Sequence, residues 1–206
     1  MALPTYSRCR LCSSERPLCL SHIFPKFYWE WLKSTGDVYF RDPNMPNRRL
    51  QDGFKLRMLC SECEGRFSQI ETHFAERVFR PLVDAPQEAV RYESFALRFL
   101  ISVLWRNLAL DLDNSDSPSQ WREELSGVEA GWRDYLLERW ELSRYGRVHL
   151  IVTDLAIEGS PQCNNFLTRV AEATEIRTED ALIGYYAKFA KLVFVGELTG
   201  STRPSG

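Results

Sequence analysis

The chain has 206 residues, 44% of them apolar and 26% charged, with a formal net charge of −2. That length and balance suit one domain, or a small module joined to a larger one, and leave no run of about 18 apolar residues for a membrane helix. The first residues lack the basic-then-apolar layout of a secretory signal, so a cytoplasmic protein is the expectation.

Charge is unevenly spread. Residues 1–80 carry 13 Lys/Arg against 9 Asp/Glu (+4), and residues 81–206 carry 13 against 19 (−6). A basic front with an acidic back is compatible with a nucleic-acid contact made by the front alone.

The chain opens with Cys9-x-x-Cys12 and reaches His22 in "LCLSHIFPKF", with Pro25 three residues on. Tyr28, Trp29 and Trp31 follow closely, and core packing is read for them ahead of base stacking. A polar patch, "RDPNMPNRRLQDG", has Pro43, Pro46 and Gly53 as breakers of regular structure. A strand-like run, "FKLRMLC", then leads into Cys60-x-x-Cys63. From Glu64 the apolar residues Phe67, Ile70, Phe74 and Val78 recur at helical spacing, and Pro81 is expected to end that helix before a short link at Pro86.

A second region, 81–206, begins with "YESFALRFLISVLWRNLALDL", apolar nearly all round and hence a buried helix. After the loop "DNSDSPSQ", Ser117 and Pro118 suit a helix start. Trp121, Leu125, Val128, Trp132, Tyr135 and Leu136 predict further helix, interrupted around Gly127 and Gly131. "RVHLIVTDLAI" and "IGYYAKFAKLVFVGEL" read as strands, and the tail "TGSTRPSG" as disordered.

Six cysteines without a secretion signal, four of them in two C-x-x-C pairs, favour metal binding over disulfides. Four thiolates close a tetrahedron around zinc and leave no open position, so Cys9, Cys12, Cys60 and Cys63 predict a structural Zn²⁺ site. Four unrelated buried cysteines, or redox-active thiols at a βαβ turn, are the alternatives.

Knuckle, His-x-x-Pro, hairpin, second knuckle and helix together resemble the HNH endonuclease family, over residues 9–75 only. The resemblance is carried by Cys9, Cys12, "SHIFP", "LCSEC" and the helix that follows. For residues 1–80 it implies a small zinc-bound treble-clef ββα module, within a chain whose own elements predict an α+β fold with a mainly helical domain (81–206) and a short terminal antiparallel sheet behind that module. It also implies metal-dependent cleavage of nucleic acid, DNA ahead of RNA, with His22 as general base. An imidazole titrating near about 6.5 suits that role at neutral pH.

The chain departs from the family pattern at three places. The residue before the histidine, commonly an Asp or His ligand of the catalytic metal, is Ser21; the middle Asn falls on Lys55; the ligand after the last cysteine falls on Glu64. Glu64 is a reasonable oxygen ligand for Mg²⁺ or Mn²⁺, and equally a solvated carboxylate favoured at a helix start. Glu71 lies on the same helical face but roughly 10.5 Å further along the axis, which assigns it a supporting role. His73, about 900° of rotation from Glu64, falls on the opposite face. Arg48, Arg49, Lys55 and Arg57 are either phosphate contacts or a solvated basic face. Cys19 reads as a small buried hydrophobe, Cys163 has no partner in view, and His149 reads as a strand residue. Two further functions stay open: a degenerate module that binds nucleic acid or a partner protein without cutting, and a zinc-stapled interaction domain contacting a protein through residues 81–206.

Overall fold

The computed structural model describes residues 4–36, 39–42, 45–84, 93–114, 120–139, 147–153 and 168–202, and is a mixture of helices and antiparallel sheets, as an α+β chain should be. Strands β1 (Leu18–His22) and β4 (Lys55–Cys60) pair antiparallel, so that Leu18 faces Cys60 and His22 faces Lys55. Between them run helix α1 (Lys26–Thr35) and a ribbon of β2 (Phe40–Asp42) and β3 (Met45–Leu50). Helix α2 (Ser61–Phe74) begins on the residue after β4.

Two of these elements are new relative to the sequence reading. Helix α1 forms because Pro25 fixes the entry and Tyr28 and Leu32, four apart, supply a buried stripe. Of the breakers expected here, Gly53 does fall in the irregular turn after β3 and Pro43 lies outside the described residues, whereas Pro46 sits within β3 of the β2–β3 ribbon, tolerated because a two-stranded ribbon leaves one side of each strand unpaired. Pro81 does not end the helix either. A π-helical turn at Ala75–Phe79 resets the register, and α3 (Arg80–Val83) starts with Pro81 in its first turn, where a missing N–H costs little.

In the second region, α4 (Ser94–Asp113) is buried on every side from Phe99 to Ala109. Helix α5 (Arg122–Leu136) runs unbroken through Gly127 and Gly131. Each glycine costs about 1 kcal/mol of helix propensity, but Leu125, Val128, Trp132 and Leu136 bury one face and outweigh that cost. The sheet has strand order β5-β8-β7-β6, all antiparallel: β5 (Val148–Val152), β6 (Glu172–Arg177), β7 (Ala181–Phe189) and β8 (Leu192–Thr202). The residues 199–202 expected to be disordered extend β8 instead. Pro86, Ser117, Pro118 and Cys163 lie outside the described residues.

Packing does not stop at residue 80. Phe74 of α2 stacks on Phe99 of α4 with ring centroids 3.8 Å apart, and Phe27 of α1 meets Phe189 of β7 at 6.0 Å. Arg169 donates to the Leu32 carbonyl at 2.9 Å and to that of Thr35 at 3.3 Å, closing the open end of α1. The buried core is one continuous cluster from Cys9 to Leu198.

Arg10, between the first two cysteines, bolts the knuckle to the helices. It donates to Asp113 at 2.7 Å and to Glu129 at 2.9 Å, while Glu129 also accepts the Trp105 indole N–H at 2.7 Å. Glu129 is 5% exposed, and that guanidinium is its nearer cation, with Arg133 standing off at 3.9 Å. Arg10→Ala should therefore cost about 3 kcal/mol, because it takes the close partner from a buried charge. At 2–4 °C per kcal/mol for a chain of this size, Tm should fall by roughly 6–12 °C. A thermal melt showing a drop of less than about 2 °C would contradict the clamp.

Candidate functional site

The four cysteines come together. Cys9, Cys12, Cys60 and Cys63 have sulfur atoms all within 4.8 Å of one another, and Cys12 and Cys60 are 3.8 Å apart. A tetrahedron with metal–sulfur bonds of about 2.3 Å has sulfurs about 3.8 Å apart, so this group could hold a structural metal ion such as zinc. Local backbone shapes it: the Ser13 N–H donates to the Cys9 carbonyl at 2.8 Å with Ser13 in the left-handed region (φ 62°). Arg10 N–H donates to the Met58 carbonyl at 2.8 Å, tying the knuckle to β4. The Cys63 thiol donates to Cys9, which pulls Cys9 down to about 4 and pushes Cys63 up.

His22 ends β1, one residue beyond Ser21. Its Nε2 lies 3.3 Å from Oδ1 of Asp52, in the turn between β3 and β4. Asp52 is held in turn by Lys55 Nζ at 2.5 Å and by the Gly53 N–H at 2.8 Å. Gly53 is required there by close approach: a Cβ would lie 2.1 Å from the Trp29 indole. Burial works to raise the Asp52 carboxyl, but its bonds from Lys55, Gly53 and His22 outweigh that and hold it far below the usual carboxylate range. Burial pushes His22 down from its ordinary value, against the opposing pull of Asp52. The imidazole is therefore neutral at neutral pH. With Nε2–H given to Asp52, Nδ1 carries the lone pair that can accept a proton.

Behind His22 stands a second set of contacts. Arg106, 2% exposed and 84 positions away on α4, donates to the His22 carbonyl at 2.9 Å and pairs with Glu71 of α2 at 2.7 Å. Ser21, fully buried, donates to Glu64 at 2.5 Å. Glu64 and Glu71 therefore both face the end of β1, each through one intermediary. Among the described residues, the four cysteines are the only group of three or more His, Cys, Asp or Glu side chains placed to share an ion.

The remaining candidates are scattered. Lys55 is engaged with Asp52, and Arg57 donates to the Leu18 carbonyl at 3.0 Å. Arg49 is exposed, its guanidinium 5.4 Å from the centre of the Tyr39 ring. Arg48 lies on β3 with its side chain outside the described set. His73 is exposed beside Phe95, and His149 on β5 sits 3.3 Å from Glu197. Cys19, read as a small buried hydrophobe, is half-buried on β1. Tyr28 is buried and Trp29 and Trp31 half-buried, in line with core packing.

Asp52 and Arg106 were missed by the sequence reading. Asp52 stood beside a glycine noted as a turn-former. A lone arginine inside the apolar run "FLISVLWRNLAL" is itself a signal, because a buried guanidinium must find partners.

No helix among the described residues is long and apolar enough to cross a membrane. Compared with known proteins, the chain matches no family model, no curated protein and no solved structure.

Proposed function

We propose that this chain is a metal-dependent endonuclease of the HNH type, cutting nucleic-acid phosphodiesters with His22 as general base and a zinc-pinned treble-clef module as its frame. The observation that carries this reading is the His22–Asp52 contact at 3.3 Å, at the end of a strand whose partner, β4, runs into the four-cysteine cluster. A neutral imidazole, oriented through one nitrogen by a carboxylate and through its own carbonyl by a buried arginine, is built to take a proton. Nδ1 of His22 removes a proton from water; the water oxygen bonds to phosphorus as the opposite P–O bond breaks, and the leaving oxygen is protonated by solvent.

Zinc fits the four thiolates by donor type and by sulfur spacing. For Mg²⁺ or Mn²⁺ the fit is narrower. Glu64, steadied by Ser21 at 2.5 Å, would hold such an ion together with water and phosphate oxygens, as hard cations allow when one or two carboxylates are offered. When bound, the ion neutralises charge developing on the phosphate. A cytoplasmic setting suits reduced thiolates.

A second reading, a module that binds nucleic acid without cutting, is favoured by one observation: Glu64 and Asp52 are both already engaged by protein partners. Incubating plasmid and single-stranded substrates with the zinc-loaded protein and Mg²⁺ or Mn²⁺ separates the two. Metal-dependent products support the nuclease; binding without products moves the chain to the second reading.

Asp52→Asn adds a sharper expectation. Asp52 raises the His22 pKa, so removing its charge lets that pKa fall further. Catalysis needs the unprotonated ring, so the acid limb of the pH–rate profile should move to lower pH. The rate should also drop by about 10- to 100-fold as the ring loses its orienting partner. A limb that moves to higher pH contradicts the assignment.

A further inference from the structure

Resting on the nuclease reading, we infer that Arg106 is a positioning residue for the reaction: with Glu71 as its counter-charge, it fixes the peptide that carries His22 and so sets where the imidazole meets the reacting water. The β1–β4 ladder leaves the His22 carbonyl without a strand partner. Register places His22 opposite Lys55, and the next residue, Ile23, donates its N–H to the Phe54 carbonyl at 3.1 Å. Bonded and non-bonded pairs alternate along an antiparallel ladder, so His22 sits at a non-bonded position and turns its carbonyl away from β4. Among the described residues no further strand stands at that edge, because β1 and β4 form a two-stranded sheet. His22 is 9% exposed, and a buried carbonyl needs a partner. Arg106 Nη1 supplies it at 2.9 Å, from 84 positions away.

The guanidinium is itself held on three sides. Nε donates to the Ser102 carbonyl, one turn back on α4, at 3.2 Å. Cζ lies 5.3 Å from the centre of the Phe67 ring, and Nη2 has Glu71 Oε1 at 2.7 Å. Nη2 makes no aligned hydrogen bond there, so Glu71 acts on it as a charge. A buried ion pair gives little net stability over well-packed apolar residues. Direction, rather than stability, accounts for a guanidinium at this place: its rigid fork holds α2, α4 and the end of β1 in one geometry. Asp52 and Arg106 thus divide the task. Asp52 meets the ring at Nε2 and sets its rotation, while Arg106 meets the main chain and sets where the ring is rooted. Arg106 is 2% exposed and touches no substrate, so its effect falls on kcat and spares KM.

The test compares wild type with Arg106→Met/Glu71→Gln and with Arg106→Lys, each checked for zinc content and a cooperative melt. Changing both partners together avoids leaving either charge buried alone. Cleavage of a labelled DNA duplex with Mg²⁺ or Mn²⁺ gives kcat and KM. Long-range ¹H–¹⁵N correlation spectra of ¹⁵N-histidine protein, with His22→Ala to assign the signal, give the tautomer of His22 without any need for activity. Wild type should show His22 as the single Nε2–H tautomer. The double variant should show both tautomers, with kcat lower by about 100-fold, the cost of a misplacement of about 1 Å, and KM unchanged. Should that variant not fold, Arg106→Lys carries the test. It keeps the charge beside Glu71 but not the fork, and should lose about 10-fold in kcat with the second tautomer emerging.

An unchanged kcat with a single tautomer in a folded variant, or a loss confined to KM, would overturn the positioning role while leaving the nuclease in place. Mixed tautomers in the variant of a protein whose wild type yields no products would sustain the positioning of His22 and remove the nuclease. A single tautomer throughout, with no products from wild type, would remove both.

Discussion

With zinc in the four-cysteine group, as proposed, its withdrawal should unfold this protein at ambient temperature. Strands β1 and β4 form a two-stranded pair, and the segment between them is a short helix and a second two-stranded ribbon. Such pairs are marginal without support. A structural zinc site contributes about 10–16 kcal/mol of apparent folding free energy, against a total stability of about 5–15 kcal/mol for a typical domain. The loss would reach beyond the front of the chain. Cys9 and Cys12 flank Arg10, whose bonds to Asp113 and Glu129 tie the knuckle to α4 and α5. Freeing the knuckle leaves Glu129 buried without its main cation. Circular dichroism before and after strong chelation, alongside metal analysis giving one zinc per chain, checks this. A metal-free protein with an unchanged melt would remove the four-cysteine group as the organiser of the fold.

On the proposed reading, His22→Ala should lower metal-dependent cleavage by about 10²- to 10⁴-fold, the range for losing a general base, while leaving zinc content and folding intact. The two halves of that expectation have separate causes. In that reading the imidazole takes the proton, and nothing else at the end of β1 replaces it: Ser21 is fully buried and bonded to Glu64, and Lys55 is paired with Asp52. The fold is spared because Asp52 keeps Lys55 and the Gly53 N–H, and Arg106 bonds to the His22 carbonyl, which alanine retains. Cleavage assays at matched zinc occupancy measure it. A rate equal to wild type would end the assignment of His22 as base.

Much of the front was readable because its signals are local. Two C-x-x-C pairs and a strand-like run into Cys60 pointed to the four-cysteine group and β4 without any knowledge of distant contacts. The polar partners were not readable in that way. Asp52 meets His22 only because the β3–β4 turn folds back over Trp29, and Arg106 reaches it from α4. Strand β6 was hidden by its charges; Glu172, Thr174 and Arg177 are exposed on the last strand of the sheet, where polar residues guard an edge. Helix α1 was masked by its aromatic content, although Tyr28 and Leu32 at a spacing of four, after Pro25, carried the helical period.

The pairing of Arg106 with the His22 carbonyl also bears on when the protein becomes competent during its synthesis. A nascent chain that has left the ribosome as far as residue 80 already holds all four cysteines, His22, Asp52, Glu64 and Glu71. It lacks the guanidinium that joins Glu71 to β1, and the Arg169 contacts that close α1. Long-range closures of this kind are slow and come late. On the proposed reading, the ribosome releases a chain able to load zinc early but able to cut only after its acidic second half has folded onto the first, a built-in delay for an activity directed at nucleic acid.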